Sequence, residues 1–188
     1  RFDVVIGADG VFSQIRRLIR PDAPKPRYTG QWVWRYNLPK PADQDGIHVF
    51  AGPCNAGLVP IAVDLMYMFL LSQEPDGMVL PVEGSAKAMR ERAKMAPPQI
   101  AALLEQITDD AGVVARPLEV VFVDGDWHKG RVVLIGDAIH AATPHLAQGA
   151  GMAIEDCLVL VEELVKANST EEAFGAYRTR RLPRVKFI

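Results

Sequence analysis

One contiguous stretch, GRVVLIGDAIHAATPHLAQGAGMAIEDC at residues 130–157, constrains the fold more than any other part of this 188-residue chain. It opens with an apolar run, residues 132–135, that leads to Asp137 without polar alternation. Such runs are typical of strands buried on both faces of an α/β sheet, where ligands bind beyond the carboxyl ends of the strands. The pattern therefore predicts that Asp137 faces a ligand. The alternative interpretation is an aspartate that caps a turn.

The same stretch then enters a helix through four residues, Gln148, Gly149, Ala150 and Gly151. A helix N-terminus has N–H groups without intrahelical partners and the positive end of the helix dipole, so it favours negative charge. The two glycines allow a ligand to approach the backbone closely, and Pro144 adds a rigid wall. A loop that only turns the chain is the alternative. Because Asp137 belongs to the same segment, we favour a ligand site.

The remaining patterns place α/β segments at both ends of the chain and an antiparallel pattern in the middle. The predicted strands cover residues 3–7, 28–39, 46–52, 57–63, 65–73, 117–127 and 132–135. The predicted helices cover residues 11–19, 84–95, 99–107, 170–181 and a segment that follows Gly151. We expect the two ends to meet in space and the middle to form a separate domain. The predicted fold class is α/β: a partial Rossmann-like domain at 1–26 and 118–188, with an inserted antiparallel-sheet α+β domain at 27–117.

The last two predicted helices carry readable side-chain patterns. In the first, helical spacing predicts one buried stripe: Ala153, Cys157, Leu160, Val161 and Leu164. In the second, Ser169 is followed three residues later by Glu172, which is the pattern of a capping box.

Composition excludes several classes of protein. With 21 basic and 23 acidic side chains, the chain has no overall positive field for nucleic acid. Its longest apolar runs are far shorter than the roughly 20 residues that span a bilayer, and no signal-peptide pattern is visible. We therefore expect a cytoplasmic protein with no nucleic-acid partner and no membrane span. Cys54 and Cys157 are expected to be ordinary reduced thiols.

The histidines of the opening stretch do not predict a metal site. His140 and His145 are not spaced to share a helix face, and no carboxylate lies at metal-ligand spacing from them. We expect His140 to make structural or cofactor-proximal hydrogen bonds. A hydrolase triad has no support either, because no serine lies at a strand-to-helix turn.

At the level of motifs, the stretch 130–157 closely resembles the Gly-Asp motif of the single-component FAD-dependent aromatic hydroxylases, the p-hydroxybenzoate and salicylate hydroxylase family. DVVIGADGVFSQIR, at residues 3–16, resembles the Asp-Gly motif of the same family. YTGQWVWR, Trp127 and AYRTRRLPRV are similar to that family as well. The resemblance covers nearly the whole chain and implies that 1–26 and 118–188 are part of an FAD-binding domain.

The resemblance also implies a set of cofactor-binding residues: Asp9, Asp137, Pro144, Gly149, Ala150, Gly151 and Met152. In the family, the residue matching Asp137 binds the ribityl and pyrophosphate part of FAD. The matching proline lies near the isoalloxazine ring, and the amides of the glycine segment approach its pyrimidine edge. The residue matching Asp9 lies near the pyrophosphate and is linked to use of the nicotinamide cofactor. Reduced flavin is an anion on this edge, which a helix N-terminus would stabilise.

The activity implied by the resemblance is that of an FAD-dependent monooxygenase acting on a phenolic or hydroxybenzoate-like substrate. NADH or NADPH would reduce FAD, and oxygen would add to give the C4a-hydroperoxide that hydroxylates the ring. Two alternatives stay open. The first is a flavoenzyme of the same scaffold with other chemistry, such as a halogenase, an epoxidase or an isoprenoid reductase. The second is a catalytically silent structural module. A homodimer is compatible with the sequence.

The sequence departs from the family at its start. The family opens with a strand, a Gly-x-Gly-x-x-Gly turn and a helix that hold the FAD pyrophosphate, and this chain has no such pattern. We therefore expect it to be the C-terminal portion of a monooxygenase that, alone, holds FAD weakly or not at all.

Five residues of the insert are expected to line the substrate pocket: Trp34, Arg35, His48, Phe50 and Pro60. Trp34 and Arg35 are adjacent on a strand, so at most one of them faces the pocket. For Arg35, a structural ion pair is favoured, and pairing with a substrate carboxylate is the alternative. For His48, an exposed or core position is favoured, and a general base acting on a phenol is the alternative.

Overall fold

The computed structural model describes residues 2–188 and divides the chain into two compact units. The first, which we call the α/β unit, comprises the chain up to Arg27 together with Glu119–Ile188. The second, which we call the insert, comprises Tyr28–Leu118. The predicted α/β class with an antiparallel sheet is confirmed.

The helices and strands follow one another in this order: β1 (Val5–Gly7), α1 (Gln14–Ile19), β2 (Arg27–Pro39), β3 (His48–Phe50), β4 (Ala56–Pro60), β5 (Leu65–Gln73), α2 (Ser85–Arg92), α3 (Pro98–Ala101), β6 (Val114–Val120), β7 (His128–Lys129), β8 (Val132–Leu134), α4 (Asp137–His140), α5 (Gly149–Lys166) and α6 (Thr170–Phe187). Single 3₁₀ turns lie at Ala93–Met95, Leu104–Gln106, Asp110–Gly112 and Pro144–Leu146. Within residues 2–188, no helix combines the length and apolar character needed to cross a bilayer.

The α/β unit is built on a short sheet of order β1-β8-β7, in which β1 and β8 are parallel and Ile6 lies opposite Val133. Its core contains Trp127, Phe174 and Tyr177, all fully buried. The Trp127 indole N–H donates to the Val123 carbonyl at 2.8 Å, so its one polar atom is satisfied. The core therefore joins the sheet to α6.

The predicted buried stripe of α5 is partly wrong. Met152, Asp156 and Leu160 are the buried residues of this helix, whereas Cys157 is exposed and Val161 is 59% exposed. The buried face is thus rotated towards the side that carries a carboxylate. Hydrophobic spacing alone misses this face, since Asp156 is buried with charged partners instead of apolar ones.

The C-terminal helix begins as predicted and ends later. The Ser169 hydroxyl accepts from the Glu172 amide at 3.2 Å, and the Glu172 carboxylate accepts from the Asn168 amide at 3.0 Å. The helix then continues past the predicted end at residue 181 to Phe187 and contains Pro183. A proline removes one helical hydrogen bond, but buried Arg181 and Val185 hold the segment against the core on both sides of it.

The insert contains a five-stranded sheet of order β3-β4-β5-β2-β6. Strands β4 and β5 are adjacent and antiparallel, with Pro60 opposite Met66. One face of the sheet carries Trp34 and Leu70, which are paired across β2 and β5 and fully buried. This face packs on a core completed by Met89 of α2.

Several predicted elements have other bounds in the structure. The predicted helix at 99–107 is wrong: α3 is only four residues long, and a separate 3₁₀ turn follows it. Pro98 is the first residue of α3, a position that needs no N–H partner. The predicted strand at 117–127 ends at Val120, although Val121 and Val123 still donate backbone bonds to the carbonyls of Ala141 and Ile139. The strand predicted at 46–52 shortens to β3.

Candidate functional site

The turn after β8 places Asp137 at the surface and depends on a glycine. Gly136 has φ of 59° and ψ of −141°, which only glycine adopts readily. A Cβ at this position would lie 3.1 Å from the Cβ of Ala153. Because Gly136 lacks a side chain, α5 can approach the turn closely. Asp137 then begins α4 with its side chain exposed.

Asp137 and the start of α5 lie side by side, as the sequence predicted for two parts of one site. A Cβ on Gly149 would lie 4.0 Å from Oδ1 of Asp137. Within the part of the chain that the structure describes, no side chain caps α5, and Gly149, Ala150 and Gly151 are exposed. The first N–H groups of this 18-residue helix therefore point outward beside a carboxylate. The pair offers both donors and an acceptor to one ligand.

Met152 and Pro144, the other two residues predicted in this segment, do not offer a free amide. The Met152 side chain is 2% exposed, and its amide donates to the Gln148 carbonyl at 2.9 Å, so the helix already uses that N–H group. Pro144 is exposed and starts the 3₁₀ turn that leads towards α5. The structure thus leaves three amides free, one fewer than the four that the resemblance implies.

Asp9 caps α1. Its carboxylate accepts from the Ser13 hydroxyl at 2.5 Å and from the amides of Gln14 and Ile15 at 2.7 and 3.1 Å. Burial opposes ionisation, but these three hydrogen bonds lower the pKa of Asp9. The carboxylate is therefore occupied within the chain, and a cofactor role for this motif stays a prediction.

Arg16 connects the two motifs and was missed from the sequence. Its side chain is buried, and the guanidinium donates to the Val11 carbonyl at 2.7 Å and to the Ala138 carbonyl at 2.8 Å. It thereby ties the loop after Asp9 to the helix that starts at Asp137. Neighbouring Arg17 is exposed, and nothing in the local sequence distinguishes one arginine from the other.

A buried charged cluster lies directly behind the Asp137 turn, and it too was missed. Oδ2 of Asp156 accepts from the Gly136 amide at 2.8 Å and from Nε2 of His140 at 2.6 Å. Oδ1 accepts from Nε of Arg181 at 2.7 Å. Burial alone would raise the pKa of Asp156, but hydrogen bonds from His140, Arg181 and the Gly136 amide lower it. His140 thus makes the structural hydrogen bond that the sequence allowed.

The residues predicted to line the substrate pocket lie on both faces of the insert sheet. Trp34 is fully buried in the core, and its indole N–H donates to the Ser72 hydroxyl at 2.8 Å. Phe50 also packs on that core, and the strand register puts exposed His48 on the same face. Pro60 shares this face by register.

Arg35 lies on the opposite face, beside the ring of Tyr67 at 5.5 Å. Its register partner Phe69 lies across from Gly57, and a Cβ at Gly57 would come within 2.4 Å of the Phe69 ring. The structure therefore separates Arg35 from Phe50 and His48.

Comparisons with known proteins identify the family of the chain. A family model described as "FAD binding domain" matches residues 1–188. The chain is 34% identical over 207 residues to 6-hydroxynicotinate 3-monooxygenase of Pseudomonas fluorescens, a match that covers 99% of this chain and 51% of that protein. It is 31% identical over 194 residues to 3-hydroxybenzoate 6-hydroxylase of Polaromonas naphthalenivorans, covering 98% and 47%. The chain spans about half the length of these relatives.

Among solved structures, the crystal structure of Klebsiella pneumoniae HpxO complexed with FAD and uric acid superposes with a TM-score of 0.88 at 25% sequence identity. The match covers 98% of this chain and 48% of that one. Fold, motif spacing and the whole-length family match agree with one another. The chain belongs to the FAD-binding-domain family of the FAD-dependent aromatic monooxygenases.

Proposed function

We propose that the complete protein is an FAD-dependent monooxygenase that consumes NADH or NADPH and hydroxylates a phenolic or hydroxybenzoate-like ring. The observation that carries this proposal is the exposed carboxylate of Asp137 beside the free amides of Gly149, Ala150 and Gly151. The names of the relatives, which include a hydroxybenzoate hydroxylase and a hydroxynicotinate monooxygenase, support the reaction class. We further propose a cytoplasmic protein in which the α/β unit holds the cofactor and the insert meets the substrate.

The residues at the turn fit a flavin by their chemistry. An exposed carboxylate accepts hydrogen bonds from the hydroxyls of a ribityl chain. Free amides at a helix N-terminus donate to the carbonyl oxygens of the pyrimidine ring and stabilise negative charge there. Bound FAD supplies the redox and oxygen-activating chemistry that no side chain provides. Asp137 would orient the cofactor, and the α5 amides would favour its charged state.

For the substrate, we propose the face of the insert sheet that carries Arg35, Tyr67 and Phe69. Tyr67 and Phe69 have ring centroids 6.5 Å apart and are partly buried, while Arg35 is exposed at their side. Aromatic faces suit a planar ring, and a guanidinium binds a carboxylate through two hydrogen bonds. Since Gly57 makes room for the Phe69 ring, the face is shaped by the backbone as well. His48 and Phe50 lie on the other face, so we assign neither of them to this surface.

The test is to express the complete protein and compare Asp137→Ala with Asp126→Ala. Asp126 is an exposed aspartate of the same unit whose carboxylate only approaches Arg20 at 3.8 Å. We expect Asp137→Ala to lose at least about tenfold in FAD affinity, the equivalent of one lost charge-assisted contact, and Asp126→Ala to bind FAD normally. Unchanged flavin content in Asp137→Ala would refute the role given to this residue.

The reaction is tested with the unaltered protein. NADH and NADPH oxidation is measured across a panel of phenols and hydroxybenzoates, with the hydroxylated product quantified under labelled oxygen. We expect Arg35→Met to raise KM for carboxylated substrates and to leave FAD content unchanged. Incorporation of oxygen into an alkene, or halide-dependent turnover without hydroxylation, would instead assign one of the other reactions of this scaffold.

A further inference from the structure

The cluster behind the Asp137 turn reaches both halves of the candidate site. Asp156 binds the Gly136 amide directly, and Gly136 immediately precedes Asp137. Asp156 also binds His140, the last residue of α4. Because a carboxylate only accepts hydrogen bonds, Nε2 of His140 carries the proton in this contact. One end of the cluster therefore holds the backbone just before α4 and the side chain of the last residue of α4.

The other end of the cluster reaches the first turn of α5 through α6. Besides its bond to Asp156, Arg181 donates from one guanidinium nitrogen to the Met152 carbonyl at 3.2 Å. Arg184 donates to Oε1 of Gln148 at 3.1 Å. Arg181 also pairs with Glu155, whose side chain is partly exposed. The segment that presents the free amides is thus held from behind by two arginines of one helix.

We propose that Asp156 is a positioning residue for the flavin, because it joins the Asp137 turn to the N-terminus of α5 through His140 and Arg181. This inference rests on the proposed function, since the ligand whose contacts are positioned is FAD. Asp156 and Arg181 touch no part of the ligand-facing surface: their side chains are 0% and 5% exposed. They act through the backbone of Gly136 and Met152.

Stability alone does not account for this cluster. Burying a carboxylate and a guanidinium costs free energy of desolvation, and well-packed apolar residues of similar volume are often as stabilising as a buried ion pair. What apolar residues lack is a defined hydrogen-bonding direction. Here the charged groups bind a glycine amide next to Asp137 and a carbonyl in the first turn of α5. A ligand that binds both of these segments requires them to be held at a fixed distance from each other.

The experiment uses the complete protein with FAD removed and then titrated back. Arg181→Lys keeps the positive charge next to Asp156 and removes the planar guanidinium that also reaches the Met152 carbonyl. Asp156→Asn keeps the size of the side chain and removes its charge. Arg180→Lys is the matched control, since Arg180 is adjacent on α6 and pairs with Glu162 and Glu163 on the exposed side.

The dissociation constant for FAD is measured by flavin fluorescence. We expect it to rise at least about tenfold in Arg181→Lys and Asp156→Asn. In Arg180→Lys it should stay within about twofold of the unaltered protein. In parallel, the reduction potential of the bound flavin should become more negative in the two cluster variants, because the α5 amides no longer meet its charged edge. Unfolding of the FAD-free proteins in urea is measured separately. This separates loss of positioning from loss of folded protein.

The proposal is overturned if folded Arg181→Lys and Asp156→Asn bind FAD with the affinity and potential of the unaltered protein, whatever their stability. If Asp156→Asn does not fold, Arg181→Lys and His140→Gln decide the matter by the same two measurements. Failure of the unaltered complete protein to bind FAD would overturn the proposed function itself, together with this inference. The two failures are therefore distinguishable.

Discussion

Each of the two units contains an arginine, partly buried in one and buried in the other, that is paired with a carboxylate, and the two pairs are used differently. In the insert, Arg92 pairs with Glu74 and lies 4.5 Å from the ring centroid of Trp34. Glu74 in turn accepts from the Ser72 hydroxyl, which receives the Trp34 indole N–H. This pair therefore satisfies polar atoms of core side chains and completes the packing of one sheet face.

In the α/β unit, the partners of the pair include two backbone groups near an exposed surface besides the side chains of His140 and Glu155. Arg181 binds the Met152 carbonyl, and Asp156 binds the Gly136 amide. This pair is also more deeply buried than the pair in the insert. The side chains of Arg181 and Asp156 are 5% and 0% exposed, whereas that of Arg92 is 25% exposed. The same chemistry thus fastens side chains in one unit and orients backbone in the other. In each pair, the arginine and the carboxylate have hydrogen-bonding atoms that are not used between them. The two pairs differ in the groups that these atoms contact.

The largest expected effect follows from depth of burial. Arg181→Ala removes the arginine partner of a fully buried carboxylate and leaves Asp156 with only His140 and the Gly136 amide. We expect a loss of about 3–5 kcal/mol in the free energy of unfolding. Arg92→Ala leaves Glu74 with Ser72 and partial access to water, so we expect about 1–2 kcal/mol. Urea unfolding at neutral pH measures both. Equal losses for the two variants would contradict the distinction drawn between the two pairs.

The sequence predicts the strands and the Asp137 turn but not the buried carboxylate behind that turn, and the reason is physical. The local pattern correctly placed β5 at Leu65–Gln73 and put Asp137 between a buried strand and a glycine-rich helix entry. It could not rank Asp156 above Cys157 as a buried residue, because hydrophobicity favours the cysteine. The partners that reverse that order, His140 and Arg181, lie 16 and 25 residues away along the chain.

The substrate residues show the same limit. Alternation along β2 correctly placed Trp34 and Arg35 on opposite faces of the sheet. Whether Phe50 shares a face with Arg35 depends on the register of three successive strand pairs, from β3 to β4, β5 and β2. A slip of one residue at any of these pairs moves a side chain to the other face. Sequence spacing does not determine such a register.

A smaller effect is expected at alkaline pH from the tyrosine beside the deeper pair. Burial, with the nearby charge of Asp156, raises the pKa of Tyr177, whose hydroxyl donates to the Leu134 carbonyl at 3.4 Å. The folded protein therefore keeps the phenol neutral while the unfolded chain loses its proton near pH 10. Stability from this group is present below that pH and is lost as the pH rises above it, by about 1.4 kcal/mol at pH 11.

Tyr177→Phe removes this alkaline loss. We expect the variant to be slightly less stable than the unaltered protein at pH 8 and to gain on it between pH 9 and pH 11, as measured by urea unfolding at each pH. The other three tyrosines are the same in both proteins, so their contribution cancels in the difference. A difference in stability that stays constant across this range would show that Asp156 and its surroundings do not control the ionisation of Tyr177.

The smallest effect is expected on the outer side of α5, where apolar residues are exposed at Ile154, Leu158, Val161 and Val165. Leu158 is 61% exposed and Leu160 is 1% exposed, although both are leucines of the same helix.

Leu158→Lys should change the free energy of unfolding of this chain by less than about 0.5 kcal/mol, because the side chain is already in water. Leu160→Lys buries an unpaired charge in the core and should abolish cooperative folding. Urea unfolding of the 188-residue chain followed by circular dichroism tests both. A large loss in Leu158→Lys would mean that Leu158 is packed against other residues and that this side of α5 is not in water.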